Sequence, residues 1–316
     1  MDRRQLLAGM GSMAATPALA QAPAPIPADD IPRWRSPVID MHFHMRRAPA
    51  QNVAHQVGAG VTAANLLTGA GAAEQVAGLR AQNAAMFPSW FASANLAAPE
   101  APAQLTAAVK AGAKGFGELK LHVDADGPEM RRAYDLAAEL NVPVLIHFQD
   151  ATTDLNEAYN SGFRRFEAVL KAYPRTRFIG HANSFWAHVS AGYADTAAYP
   201  EGPIVKGGLT DRLLADYPNL FGDMSANSAH NALSRDAAFT TDFLRRHQDK
   251  LHFGSDCNCE DGRGGGAAQN SPNVAVAIRG KCVARETLSL LTRSTTPEIF
   301  RKLAWSNGHR LIGLTA

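Results

Sequence analysis

Cysteine is scarce in this chain: three residues in 316, too few to staple a fold of this size with disulfides. Charge of one sign is also lacking. The 31 lysines and arginines nearly balance 29 aspartates and glutamates, leaving a net charge of +2. Composition therefore gives no polyanion-binding surface, and nucleic acid is set aside as a partner. Long apolar runs are missing too. The stretch from Leu6 to Ala15 falls short of the roughly 20 residues a membrane-spanning helix needs, and no other segment is a candidate. No Gly-x-Ser-x-Gly elbow is present, which disfavours a Ser-His-Asp hydrolase. What is there is 46% hydrophobic with 8% aromatic, which rules out a wholly disordered chain. The length suffices for one large barrel or two ordinary domains.

The N-terminus reads as an address. Arg3 and Arg4 precede the short apolar run, and Ala18-Leu19-Ala20 fits the small-residue rule of a cleavage site. The pair of arginines resembles the bacterial twin-arginine signal, which exports folded proteins. The expectation is a signal peptide over 1–20, a Pro/Ala-rich linker over 21–35, and a single domain over 36–316 in the periplasm.

From Ser36 onward, apolar runs alternate with helical patterns. Eight candidate strands fall at 38–42, 61–67, 90–96, 115–121, 143–148, 177–181, 220–225 and 251–255. Helical spacing predicts helices over 72–85, 101–111, 129–140, 155–173, 209–217 and 235–247, with 46–60 the least helical of the connections. Asp154 and Asp236 suit helix N-caps, and Pro128 suits a first helical turn. Eight such alternations predict a (β/α)8 barrel, a TIM barrel, with an open doubly wound sheet as the competitor. Two long connections, 182–208 and the Gly-rich 257–273, follow strands, on the face where a barrel places its active site.

Strand one ends Asp40-Met41-His42-Phe43-His44. Alternate residues of a strand share a face, so His42 and His44 point together at one ion. His147, His181 and Asp256 likewise close apolar runs at the ends of strands five, six and eight. Five metal-binding side chains gathered at one barrel mouth predict a metal site.

This ordered set, with Phe253-Gly254-Ser255-Asp256, Ile179-Gly180-His181 and the stretch from Asn219 to Ser225, resembles the amidohydrolase superfamily of metal-dependent barrel enzymes. The resemblance covers about 38–314 and is closest to the amidohydrolase-related branch, which includes nonoxidative decarboxylases. It implies that His42, His44 and His147 ligate metal and that Asp256 ligates it or handles the proton. Strand four places Glu118, Lys120 and His122 on one face. In relatives, a carboxylated lysine or a glutamate here bridges two ions; Glu118 resembles the glutamate version, while Lys120 is a carbamate or a substrate cation. If Glu118 binds, the site is binuclear and His181 ligates the second ion. If it does not, one ion is held and His181 acts beside it as acid, base or oxyanion stabiliser.

The implied chemistry is metal-activated water attacking an amide, ester or lactone bond, with Asp256 and His181 as catalytic groups. One or two divalent ions are expected, zinc ahead of manganese or iron. Decarboxylation of a small carboxylic acid on the same site is the alternative, with Arg235 holding the carboxylate. A non-catalytic exported binding protein is the third reading. Lys120, His122, Trp186 and Arg235 are the expected substrate contacts, with His188 and Tyr193 as further wall candidates and Asp223 and His230 as weaker ones. The partner is a small molecule, with no nucleic acid, no membrane and homo-oligomerisation left open. For the cysteines two readings stand side by side: a Cys259–Cys282 disulfide that pins the Gly-rich loop and leaves Cys257 over, or three buried thiols.

Overall fold

The computed structural model describes residues 28–272 and 274–314. The export segment expected over 1–20, and the first part of the 21–35 linker, lie outside the described residues. Eight strands form one parallel sheet in sequential order: β1 (Ile39–His44), β2 (Ala63–Gly69), β3 (Ser89–Ser93), β4 (Gly115–Leu119), β5 (Val144–His147), β6 (Phe178–His181), β7 (Leu220–Met224) and β8 (Leu251–Phe253). The sheet curls into a nearly closed single-domain (β/α)8 barrel. At the seam, β8 and its following residues lie against β1: the Asp256 N–H donates to the His42 carbonyl at 2.8 Å. The Ser255 N–H donates to Asp40 Oδ1, also at 2.8 Å.

The helices follow from apolar spacing and end chemistry. They are α1 (Pro49–Ala59), α2 (Ala73–Asn83), α3 (Ala101–Lys110), α4 (Pro128–Glu139), α5 (Phe166–Ala172), α6 (Ala182–Ala187), α7 (Leu209–Asp216), α8 (Ala226–Ser234), α9 (Ala237–Arg246), α10 (Val283–Ser294), α11 (Pro297–Arg301) and α12 (Asn307–Leu311). Pro128 occupies the first turn of α4, where its missing donor costs nothing. Asp236 caps α9 by accepting the Phe239 N–H at 3.0 Å. The 46–60 connection does contain a helix, α1, and Trp34 Nε1 ties its last residue by donating to the Ala59 carbonyl at 2.9 Å.

The helix expected over 155–173 is only its second half. Residues before Phe163 fold back instead, with Gln149 and Tyr159 exchanging backbone hydrogen bonds at 2.9 and 2.8 Å. Asp154 therefore caps no helix; its carboxylate accepts the Ala198 N–H and the Thr152 hydroxyl. Phe116, Phe148, Phe178 and Phe253 are fully buried in the main core with residues of the surrounding helices. Leu145 and Ile179 sit in a smaller apolar cluster, two residues before His147 and His181 on their strands. The polar strand ends thus stand on an apolar floor. No helix among the described residues is long and apolar enough to cross a membrane.

Candidate metal centre

Glu118, near the end of β4, is buried and faces histidines on two sides. Its Oε2 lies 3.3 Å from His44 Nε2 and 4.0 Å from His42 Nε2. Its Oε1 lies 2.5 Å from His147 Nδ1 and 3.4 Å from His181 Nε2. Asp256, after β8, has the same divided geometry from the other edge. Oδ1 is 3.5 Å from His44 Nε2 and 3.8 Å from His42 Nε2, while Oδ2 is 3.7 Å from His181 Nε2. Four strand ends, those of β1, β4, β5 and β6, and the turn after β8 therefore deliver six side chains to one point, as side chains alternating along parallel strands allow. His42 and His181 are buried, whereas His44 is half exposed at the rim.

Behind these groups stands a set that fixes how each ring points. His42 Nδ1 donates to Asp223 Oδ2 at 2.6 Å, leaving Nε2 toward the centre. The Ser225 hydroxyl donates to Asp223 Oδ2 at 2.9 Å and accepts from His181 Nδ1 at 2.7 Å. That leaves His181 Nε2 buried with no hydrogen-bond partner among the described residues. Gln149 Nε2 donates to the Glu157 carbonyl, so its Oε1 accepts from His147 Nε2 at 3.0 Å and turns Nδ1 to Glu118. Such partners fix tautomer and orientation in metal-binding histidines. Gly254 is required at its position: a Cβ there would fall 2.3 Å from Asp223 Oδ1 and 2.7 Å from His42 Cβ.

The electrostatics suit cation binding. Burial works to raise Glu118, but hydrogen bonds from His147 and His44 carry it well below the ordinary carboxylate range. Burial works to raise Asp256 as well, and His42 and His44 bring it down. Burial lowers His181, with the neighbouring His42 adding to it, to about 3, so its imidazole is neutral. His42 is the reverse case: burial opposes the charge, yet Asp256, Asp223 and Glu118 push it up to about 10. An orphaned neutral nitrogen, converging imidazoles and two ionised carboxylates form a donor set that fits divalent metal.

Beside the centre lies a cavity of about 330 Å³ reached by Lys120, His147, His181, Tyr199, Asn227 and Asp256. Lys120 Nζ stands 4.7 Å from the centroid of the Tyr159 ring. The other expected substrate contacts are elsewhere. His122 is exposed, with Nδ1 donating to the Ala158 carbonyl at 2.9 Å. Trp186 is fully buried and donates from Nε1 to the Asp223 carbonyl at 2.9 Å, behind the metal-facing residues. Arg235 ends α8 and reaches the Glu201 carbonyl at 3.4 Å. His188 is buried, donating to the Ser184 carbonyl at 2.7 Å, with the Tyr193 ring edge-on against it.

Sequence reasoning passed over Ser225, Gln149 and Asp40, and left Asp223 among the weak candidates. The signal for two of them was present: Asp223 and Ser225 alternate at the end of β7, as His42 and His44 do on β1. Asp40 Oδ1 accepts the backbone N–H groups of His42 and Ser255, at 3.0 and 2.8 Å, and burial pushes its carboxyl up to about 6.

A family model described as amidohydrolase matches residues 25–314. The chain belongs to the amidohydrolase family. Amidohydrolases of this kind are metal-dependent, and the histidine–glutamate cluster is the candidate site. A comparison with curated proteins finds no match. Among solved structures, the amidohydrolase is similar to one from Burkholderia multivorans with bound HEPES, at 13% identity and a TM-score of 0.56, covering 89% of this chain and 100% of that one. It is also similar to 5-carboxyvanillate decarboxylase from Novosphingobium aromaticivorans, complexed with manganese, at 13% identity and 0.54, over 88% and 95%. A third is a Pseudomonas putida protein provisionally named 2-pyrone-4,6-dicarboxylic acid hydrolase, at 13% and 0.54, over 88% and 97%. At these identities the likeness is one of fold.

Proposed function

We propose that this amidohydrolase is a hydrolase of a small organic substrate, acting on an amide, ester or lactone bond with two divalent ions. One observation carries the reading: Glu118 presents Oε2 to His42 and His44, and Oε1 to His147 and His181. A carboxylate divided in this way suits a bridge between two ions, one beside each histidine pair. Zinc is the proposed metal, because imidazole nitrogen and carboxylate oxygen predominate. Bound divalent metal supplies Lewis acidity and lowers the pKa of water toward about 7.

The chain's own groups do the rest. Asp256, held ionised by His42 and His44, accepts the proton of the attacking water on its carboxylate and passes it to the leaving group. Lys120, at the cavity edge, holds an anionic part of the substrate. The apolar layer of Leu145 and Ile179 closes the floor to water. Periplasmic residence through the N-terminal arginine pair is part of the proposal, resting on sequence alone.

Lys120 also supports a second reading, decarboxylation of a small carboxylic acid, in which its ammonium group holds the carboxylate. Elemental analysis of wild type and Glu118→Gln tests the bridge. Loss of about one ion per chain in the variant supports it. Equal metal content in both proteins removes Glu118 from the ligand set, and carbon dioxide release without hydrolysis across a panel of aryl carboxylates and esters gives the second reading its place. A folded protein that refuses metal on reconstitution overturns both.

A further inference from the structure

The three cysteines form no disulfide. Of the two sequence readings, the structure has the three buried thiols and not the Cys259–Cys282 bridge, and all three sulfurs converge on one histidine. Cys257 Sγ lies 3.3 Å from Cys259 Sγ and 3.9 Å from Cys282 Sγ, and Cys282 Sγ lies 4.0 Å from His55 Nε2. One ligand atom from each of the four comes within 4.8 Å of all the others. All four residues are buried. His55 comes from α1, some 200 residues away in sequence, and packs its ring against Phe43 with centroids 5.0 Å apart. Its Nδ1 is buried without a hydrogen-bond partner among the described residues.

We propose that His55, Cys257, Cys259 and Cys282 bind a second kind of metal site, a tetrahedral zinc held by three thiolates and one imidazole. Zinc–sulfur bonds of about 2.3 Å place tetrahedral sulfurs about 3.8 Å apart, close to the spacings seen. A disulfide can use only two of the sulfurs, whereas an ion uses all three and the histidine. Three thiolates and one neutral imidazole leave a zinc site one negative charge in excess. Arg46 answers it: the guanidinium donates from Nη2 to the Cys257 carbonyl at 2.8 Å. The Val283 N–H, at the start of α10, donates to Cys257 Sγ at 3.3 Å.

The site has a structural task. Cys257 and Cys259 begin the long connection after β8, and Cys282 ends it, so one ion clamps both ends to α1. Between them, Gln269, Val274 and Ile278 line the substrate cavity. Gly262, at φ +69, lets the loop press on α1: a Cβ there would lie 2.3 Å from the His55 carbonyl. The clamp thereby sets the cavity wall, independently of the reaction at the histidine–glutamate centre.

The test uses the whole protein, reduced, stripped and reloaded with cobalt or zinc. Cobalt is expected to give sulfur-to-metal charge-transfer absorption, and zinc X-ray absorption a sulfur shell near 2.3 Å. Both signals survive in a His44→Ala, Glu118→Gln protein, which separates them from failure at the other centre. Cys259→Ser and His55→Gln each lose about one ion per chain relative to wild type. In metal-loaded wild type the three thiols resist alkylation, and a chelator exposes them. A folded, reduced wild-type protein without a sulfur shell after reloading overturns the proposal. So does peptide mapping that finds two of the three cysteines joined in the protein as isolated.

Discussion

The imidazole of His42 meets the carboxylate of Asp223 at 2.6 Å, with neither side chain exposed. A hydrogen bond of this kind holds the ring so that only Nε2 faces the metal centre. Replacing Asp223 by Asn keeps the volume but removes the charge. Metal affinity is expected to fall about 10- to 100-fold. Competition against a chelator of known affinity measures it. An unchanged affinity would show that β1 alone orients His42.

Lys120 lines the cavity, and the proposed function gives its charge to the substrate. Lys120→Met is expected to leave metal content unchanged. KM for a carboxylate-bearing substrate should rise about tenfold, equivalent to about 1.4 kcal/mol, with kcat nearly constant. A matched neutral substrate should show no such rise. Equal effects on both substrates would assign Lys120 to packing on Tyr159.

Far from the site, Asp211 in α7 binds the C-terminal end of α9. His247 Nε2 lies 2.6 Å from Asp211 Oδ1, and Arg246 Nη2 lies 3.0 Å from Oδ2. Burial works to raise Asp211, yet hydrogen bonds from His247 and Arg246 bring it down to about 2 from 3.8. A depressed carboxylate stabilises the fold above its unfolded pKa and loses that contribution as pH falls toward the folded value. Undiscounted, the shift corresponds to about 2 kcal/mol; screening at the partly exposed Arg246 brings the expectation for Asp211→Asn to about 1 kcal/mol at neutral pH. Urea unfolding of both proteins should show the difference shrinking between pH 4 and pH 2. A constant difference across that window would mean the loss is one of packing.

The strands were legible as apolar runs, and the convergence of His42, His147, His181 and Asp256 was legible because the runs of β1, β5, β6 and β8 end in, or just before, a polar side chain. His42, His147 and His181 carry their position in the residues just before them. The helix expected over 155–173 was misread because local polar chemistry overrides its apolar spacing. Asn160 takes φ +43 and donates Nδ2 to the Leu119 and His147 carbonyls, under the metal centre. Asp150 accepts the Gly162 and Phe163 N–H groups and starts the chain again toward α5. Helix α10 was missed, although Val283, Ala284, Thr287, Leu288 and Leu291 form one buried stripe at helical spacing. Nothing local announces that His55 meets the cysteines, since only barrel closure brings α1 to the connection after β8.

The seam between the ends of the barrel also orders events in time. Asp40 and Ser255 are 215 positions apart and joined by a hydrogen bond, and their neighbours His42 and Asp256 share another. A growing chain that has not yet delivered residue 256 holds the histidines of β1 without the carboxylate that faces them. Contacts of such separation form late, after the loop-closure entropy of most of the chain has been met. Neither cluster exists on a half-made chain, so both candidate sites are completed only when the barrel finally closes.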